Sequence, residues 1–229
     1  LIIFLMTFAI IILFKFIKIK KEIANAYIAC SVVGNIAYFG FPYISSIIPN
    51  SNAQISLVIT SFLIILLLFV IGYLEYMHIK KISSKFFIDI IKNPLIISVI
   101  IGFILFKTSI TIPPFLIKTL SLMSGSATPV ALISLGIFLE QGIKFDNLFF
   151  HALIISFVKL LVVPLTFFFI VKGNSNYIIS IIESAMPVAI TPFILTQIYP
   201  INKKVVLESI IISTIFSVIT LPFITSLLI

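Results

Sequence analysis

Long apolar runs separated by short lysine-bearing segments dominate the chain, and windows of about 20 residues predict eight membrane-crossing helices. They run from Leu1 to Phe16, Ala24 to Ile48, Ile55 to Tyr73, Pro94 to Ile112, Phe115 to Leu139, Leu148 to Val171, Tyr177 to Tyr199, and Val205 to Ile229. Most are plain Ile, Leu and Phe stretches, but two are interrupted at mid-depth by helix breakers and polar groups. In the second span, Gly34-Asn35-Ile36-Ala37-Tyr38-Phe39-Gly40-Phe41-Pro42 ends on a proline that has no N–H to offer the Tyr38 carbonyl. In the seventh, Glu183-Ser184-Ala185-Met186-Pro187-Val188-Ala189-Ile190-Thr191-Pro192 withholds two donors, from the carbonyls of Glu183 and Val188. Unpaired backbone in hydrocarbon costs several kcal/mol per group, so both segments are predicted to be buried in protein or to line a wet cavity.

Polar residues mark one stripe on each interrupted span. Ser31, Asn35, Tyr38 and Pro42 follow helical spacing on one, and Ser180, Glu183, Pro187 and Thr191 on the other. The lysines give the orientation. Lys15, Lys18, Lys20, Lys21, Lys80, Lys81, Lys85, Lys92, Lys144, Lys203 and Lys204 fall on one side of the predicted spans, and only Lys107, Lys118 and Lys172 on the other. The excess of basic residues assigns the first side to the cytoplasm and the C-terminus to the outside. The second span then runs outward and the seventh inward. Paired discontinuous helices of opposite direction, at matching places in two inverted halves, point to the binding site of a secondary transporter. The segment from Glu75 to Asn93 mixes charges of both signs and reads as a solvated cytoplasmic connector between the halves.

Composition agrees. Hydrophobic residues make up 61% of the 229 and charged ones 10%, which excludes a soluble domain. The net charge of +8 lies in lysines that separate apolar spans, so it is read as membrane topology and not as a nucleic-acid surface. Cys30 is the only cysteine, which excludes an internal disulfide. His78 and His151 are too far apart to form a metal motif, Asp89 and Asp146 fall in loops, and no nucleophile–base pair or phosphate-binding glycine loop is present. No enzyme, metal or cofactor is expected. Lys159 stands near the middle of the sixth span, five residues before Pro164. A charge there is costly and functional by default. It has three candidate roles: attracting a carboxylate substrate, offsetting the negative end of a half-helix, or pairing with Glu183. In the fifth span Ser121, Gly125, Ala127 and Ala131 form a small-residue stripe, expected to let helix backbones approach, with Thr128 and Pro129 as a kink.

These residues resemble the auxin efflux carrier family, which includes plant PIN-type carriers and bacterial malate- or malonate-type permeases. The resemblance rests on Gly34 to Pro42, on Ala127-Thr128-Pro129-Val130-Ala131-Leu132-Ile133-Ser134-Leu135-Gly136, on Ala185-Met186-Pro187 with Tyr199, and on Ser213 to Pro222 in the last span. It implies an all-α, polytopic transmembrane helix bundle of ten helices in two inverted repeats, with two broken helices that cross at the binding site. Eight of the ten are present here. Residues 1–74 would be the remainder of the first repeat, 75–93 the cytoplasmic loop and 94–229 the second repeat, all in one transporter domain. The chain opens inside an apolar run, and about 55–70 residues of earlier helices are expected upstream. The implied function is secondary active transport of small organic anions by alternating access, from the cell membrane. Asn35, Pro42 and Pro187 match crossover positions, and Tyr38, Glu183, Met186, Thr191 and Pro192 join the substrate-binding set by adjacency. Lys159 serves for charge compensation or for the substrate anion. A proton or sodium ion is the implied coupling partner, and a homodimer an allowed assembly. The alternatives are a sodium- or proton-coupled antiporter or symporter of related crossed-helix fold, which needs acidic ligands at the crossover, and a non-transporting membrane scaffold.

Overall fold

The computed structural model describes residues 2–16, 19–48, 70–74, 88, 91–92, 94–108, 110–139, 146–171, 177–197 and 199–229. The third predicted span lies outside the described residues except for 70–73, as does most of the loop from 75 to 93. Among the described residues the fold is all helical, with no strand beyond one isolated bridge. The helices are α1 (Ile2–Phe16), α2 (Lys21–Val32), α3 (Phe41–Ile47), α4 (Pro94–Thr108), α5 (Pro114–Leu139), α6 (Asn147–Phe157), α7 (Val163–Ile170), α8 (Ile178–Ser184), α9 (Thr191–Leu195) and α10 (Lys203–Leu228). Two wide π turns, Ile36–Gly40 and Val158–Val162, join α3 and α7 to what precedes them.

Each π turn ends two residues before a proline. The Phe41 amide bonds to the carbonyl of Ile36, and Val163 to that of Val158, one residue further back than in an α-helix. The shifted register lets the chain pass Pro42 and Pro164 and continue as a helix where a regular turn would clash. The sixth span therefore remains one helical run of 24 residues from Asn147 to Ile170, and α10 one of 26. At 1.5 Å per residue both exceed the roughly 30 Å of a bilayer core. Their outward faces, including Phe150, Ile154, Phe169, Val218 and Ile219, are apolar and exposed, as a lipid-facing surface requires.

The bundle is organised by three helices whose first turns meet at one end. The Asn202 amide donates to the carbonyl of Glu22 at 3.1 Å, and Asn25 Nδ2 to that of Pro200 at 3.0 Å, so α2 and α10 begin side by side. Asp146 caps α6 by accepting the amides of Leu148 and Phe149, and its carboxylate binds Lys204 in the first turn of α10. Asn202 caps α10 by accepting the amide of Val205 at 3.0 Å. Lys20, Lys21, Lys203 and Lys204 thus gather at one end, as their shared side in the sequence requires. Further along, Ser156 Oγ donates to the carbonyl of Ser209, a direct polar tie between α6 and α10. Apolar side chains from all three helices fill the core between them, among them Ile23, Ala29, Ile155, Val206 and Ile210, with Val70 and Leu74.

The stripe of small residues on α5 is described only in part. Ser121 is exposed, a Cβ at Gly125 would meet nothing within 4 Å, and Ala127 is half-buried. α5 makes its contacts with the Ile36–Gly40 turn and with α10.

The Asp146–Lys204 bond yields a pH prediction. That bond, with smaller help from the capping amides, holds the Asp146 carboxyl below its ordinary range. Ionised Asp146 therefore stabilises the fold above the usual carboxylate pKa of about 4, and the contribution is lost as pH falls below it. Asp146→Asn should lower the thermal midpoint modestly at pH 7, with a gap that narrows at pH 3 and in high salt, because the pair is partly exposed. A gap independent of both would contradict the assignment.

Candidate functional site

The two interrupted spans cross, and at the crossing each supplies what the other lacks. Gly34 and Val188 form an antiparallel bridge. The Asn35 amide donates to the Pro187 carbonyl at 2.8 Å, and the Ala189 amide to the Val33 carbonyl at 3.0 Å. The Val188 amide donates to Ser213 Oγ of α10 at 3.0 Å, and that hydroxyl donates in turn to the Ile210 carbonyl. The carbonyl of Glu183, which Pro187 leaves without its usual donor, accepts the Met186 amide at 3.2 Å. On the other strand the Asn35 carbonyl accepts from both Phe39 and Gly40. The backbone cost of breaking two helices in a membrane is thus met inside the protein.

Lys159 lies at this crossing. It is 2% exposed, on the Val158–Val162 turn, and its Nζ donates to the carbonyl of Ser184 at 2.8 Å. Ser184 ends α8, so a cation sits on the negative end of a half-helix. Space for it comes from Gly34, where a Cβ would stand 3.0 Å from Lys159 Nζ and 3.2 Å from its Cε. Gly40 makes the same kind of room, since its Cβ would stand 3.1 Å from Met186 Cγ. Met186, fully buried, is therefore packed against both glycines of the opposite segment.

Asn35 is 4% exposed, and its side-chain amide makes no hydrogen bond among the described residues. Ser31 Oγ, one turn earlier and equally buried, also has no partner among them. Of the residues predicted for the site, the structure gathers Asn35, Glu183, Met186, Pro187 and Lys159 around the crossing, all buried. Thr191 and Pro192 begin α9 just beyond it, half-buried and buried respectively. Tyr38 and Pro42 are exposed, so the polar stripe expected to carry them beside Asn35 is turned away by the π turn.

Two contributors to the crossing, Ser184 and Ser213, and one buried charge outside it, Glu208, went unrecognised. Ser184 acts through its own main-chain oxygen, which accepts Lys159 Nζ, and Ser213 through a hydroxyl that accepts the Val188 amide, and no spacing rule reveals either. Glu208, with 0% exposure in α10, carried the same signal as Lys159, a lone charge within an apolar span. Its closeness to Lys203 and Lys204 disguised it as part of a solvated loop. A cavity of about 390 Å³ between α7, α8 and α10, lined by Pro164, Phe168, Ile181, Phe223 and Leu227 among others, is apolar and includes none of the crossing residues.

Residues 1–225 match the membrane transport protein family. The chain belongs to that family. It is the auxin efflux carrier family that the motifs resemble, and the match makes this an integral membrane transporter. The transporter is also similar to an uncharacterized transporter of Methanocaldococcus jannaschii, 26% identical over 214 residues, which cover 89% of this chain and 68% of the relative.

The packing at Gly34 makes a sharp prediction for this transporter. Gly34→Ala forces Lys159 or the backbone to shift, an overpacking cost of about 1–3 kcal/mol, and should lower the thermal midpoint in detergent. Gly102→Ala, where a Cβ meets nothing within 4 Å, should not. Equal midpoints for the two variants would refute the close approach.

Proposed function

We propose that this protein is a secondary active transporter of small organic anions, dicarboxylates or auxin-like carboxylates, working by alternating access from the cell membrane with its C-terminus outside. The observation that carries the reading is the presence, at a crossing of two interrupted helices, of a nearly buried asparagine, whose side-chain amide shows no partner among the described residues, and of a buried lysine. The amide offers two donors to a carboxylate, and Lys159 supplies positive potential where dielectric screening is weak. Lys159 already holds the Ser184 carbonyl, so we assign it first to charge compensation of α8 and second to the field felt by the substrate. Rocking of one helix group against the other about the crossing would expose Asn35 to each side in turn.

Glu183 keeps a second reading in view. It is 1% exposed and next to Ser184, where a cation-coupled symporter of crossed-helix fold would place an acidic ligand. Uptake that requires sodium and is lost in Glu183→Gln would favour that reading.

The test is flux of labelled malate, malonate, lactate and indole-3-acetate into vesicles carrying the full-length protein. Uptake of one or more of them is expected, falling about tenfold or more in Asn35→Ala, the loss that one hydrogen bond to a charged ligand implies. Pro187→Ala, which restores a backbone donor in the break, should also suppress it. Flux unchanged in both variants would remove the crossing from the site, and no flux of any anion would remove the function.

A further inference from the structure

Four lysines from opposite ends of the sequence meet at one end of the bundle. Lys20 and Lys21 open α2, and Lys203 and Lys204 open α10. Hydrogen bonds fix the meeting. Asn202, just before Lys203, donates its amide at 3.1 Å to the carbonyl of Glu22, just after Lys21, and Asn25 Nδ2 donates to the carbonyl of Pro200 at 3.0 Å. The excess of lysines on this side of the spans is a matter of topology. Their convergence on two adjoining helix starts is a matter of the fold.

The four are not equivalent. Lys204 is held by Asp146. Lys20, Lys21 and Lys203 are exposed, and Glu22 is the exposed acid beside them. Lys203 Nζ stands 5.4 Å from the centre of the Phe193 ring, which draws its stem against α9. Helices α2, α6 and α10 all start at this end, so their positive dipole ends add to the charge. Asp146 caps α6 and Asn202 caps α10, but no side chain caps α2. Such an excess of positive charge calls for an anion from outside the chain. Apolar side chains border it: Phe150 in the first turn of α6 and Ile194, next to Phe193, are both exposed. Basic groups at the ends of membrane-spanning helices, beside an exposed apolar surface, suit a phospholipid, whose phosphate and acyl chains occupy both levels at once. A free phosphate would use only the first.

We propose that the joined starts of α2 and α10 bind the headgroup of an anionic phospholipid, with Lys20, Lys21 and Lys203 around its phosphate and its acyl chains along the adjoining apolar face. The headgroup offsets the repulsion among the lysines. It thereby steadies α2, which leads to Asn35, and α10, which bears Ser213. The inference concerns the lipid-facing surface and does not depend on which solute is transported.

The experiment uses the full-length protein in an uncharged detergent and reads no flux. Short-chain phosphatidylglycerol, short-chain phosphatidylcholine and glycerol phosphate are titrated separately, with bound lipid counted by native mass spectrometry and the thermal midpoint followed in parallel. Phosphatidylglycerol should bind at least tenfold more tightly than phosphatidylcholine, raise the midpoint, and lose most of that advantage in molar salt, a test that needs no variant. At about fivefold per lysine, Lys20→Gln with Lys203→Gln should weaken phosphatidylglycerol binding about twentyfold. Lys107→Gln with Lys118→Gln, on the side of the spans poor in lysine, should leave it unchanged. Equal binding of the two lipids, or an equal loss in the two double variants, would overturn the proposal. Glycerol phosphate binding as tightly as phosphatidylglycerol would put a soluble anion in place of the lipid and overturn it too.

Discussion

Inside a bilayer every backbone N–H and C=O must find a partner within the protein, and a chain that breaks two of its helices at mid-depth must replace what it has broken. The architecture follows from that requirement. Residues 33–35 and 187–189 pair through one isolated antiparallel bridge, Ser213 takes the amide left between its two hydrogen bonds, and Lys159 takes the carbonyl at the end of α8. None of these partners is available within a single helix, so the two breaks are stable only together and only against α10 and the turn that bears Lys159.

The same constraint selects residue types. Glycine at 34 and 40 is needed for space: neither backbone has a positive φ, and the Cβ would press on Lys159 at 34 and on Met186 at 40. Methionine at 186 suits a gap bounded by two glycines because its unbranched chain adapts to an irregular surface. Prolines 42 and 164 are tolerated because a π turn precedes each, shifting the hydrogen-bond register past the missing donor.

Much of this was legible in the residues. Apolar run lengths located the helices to within a few positions where both can be compared, and the prolines and glycines of the second and seventh spans located the crossing, because missing donors are a property of residue type. The grouping of Lys20, Lys21, Lys203 and Lys204 at one end was likewise present in the order of the loops. What escaped was side-chain direction and atom-level partnership. Tyr38 and Pro42 are exposed because the π turn holds more residues per turn than the regular period assumes, which shifts the phase of the faces that follow. Lys159 was visible as a costly charge, yet its partner, a main-chain oxygen of Ser184, has no sequence signature. Glu208 was hidden by the lysines beside it, since a charge near a span end looks solvated until the packing of α2, α6 and α10 is known.

The mutual pairing of the two broken segments is what the crossing depends on, and backbone hydrogen exchange reads that pairing directly. In lipid nanodiscs, the amides of Asn35, Val188 and Ala189 should be protected about as strongly as those in the middle of α10, and Lys159→Met should speed their exchange while leaving α10 unchanged. Exchange at those three amides as fast as in an open loop, already in the unmodified protein, would contradict it.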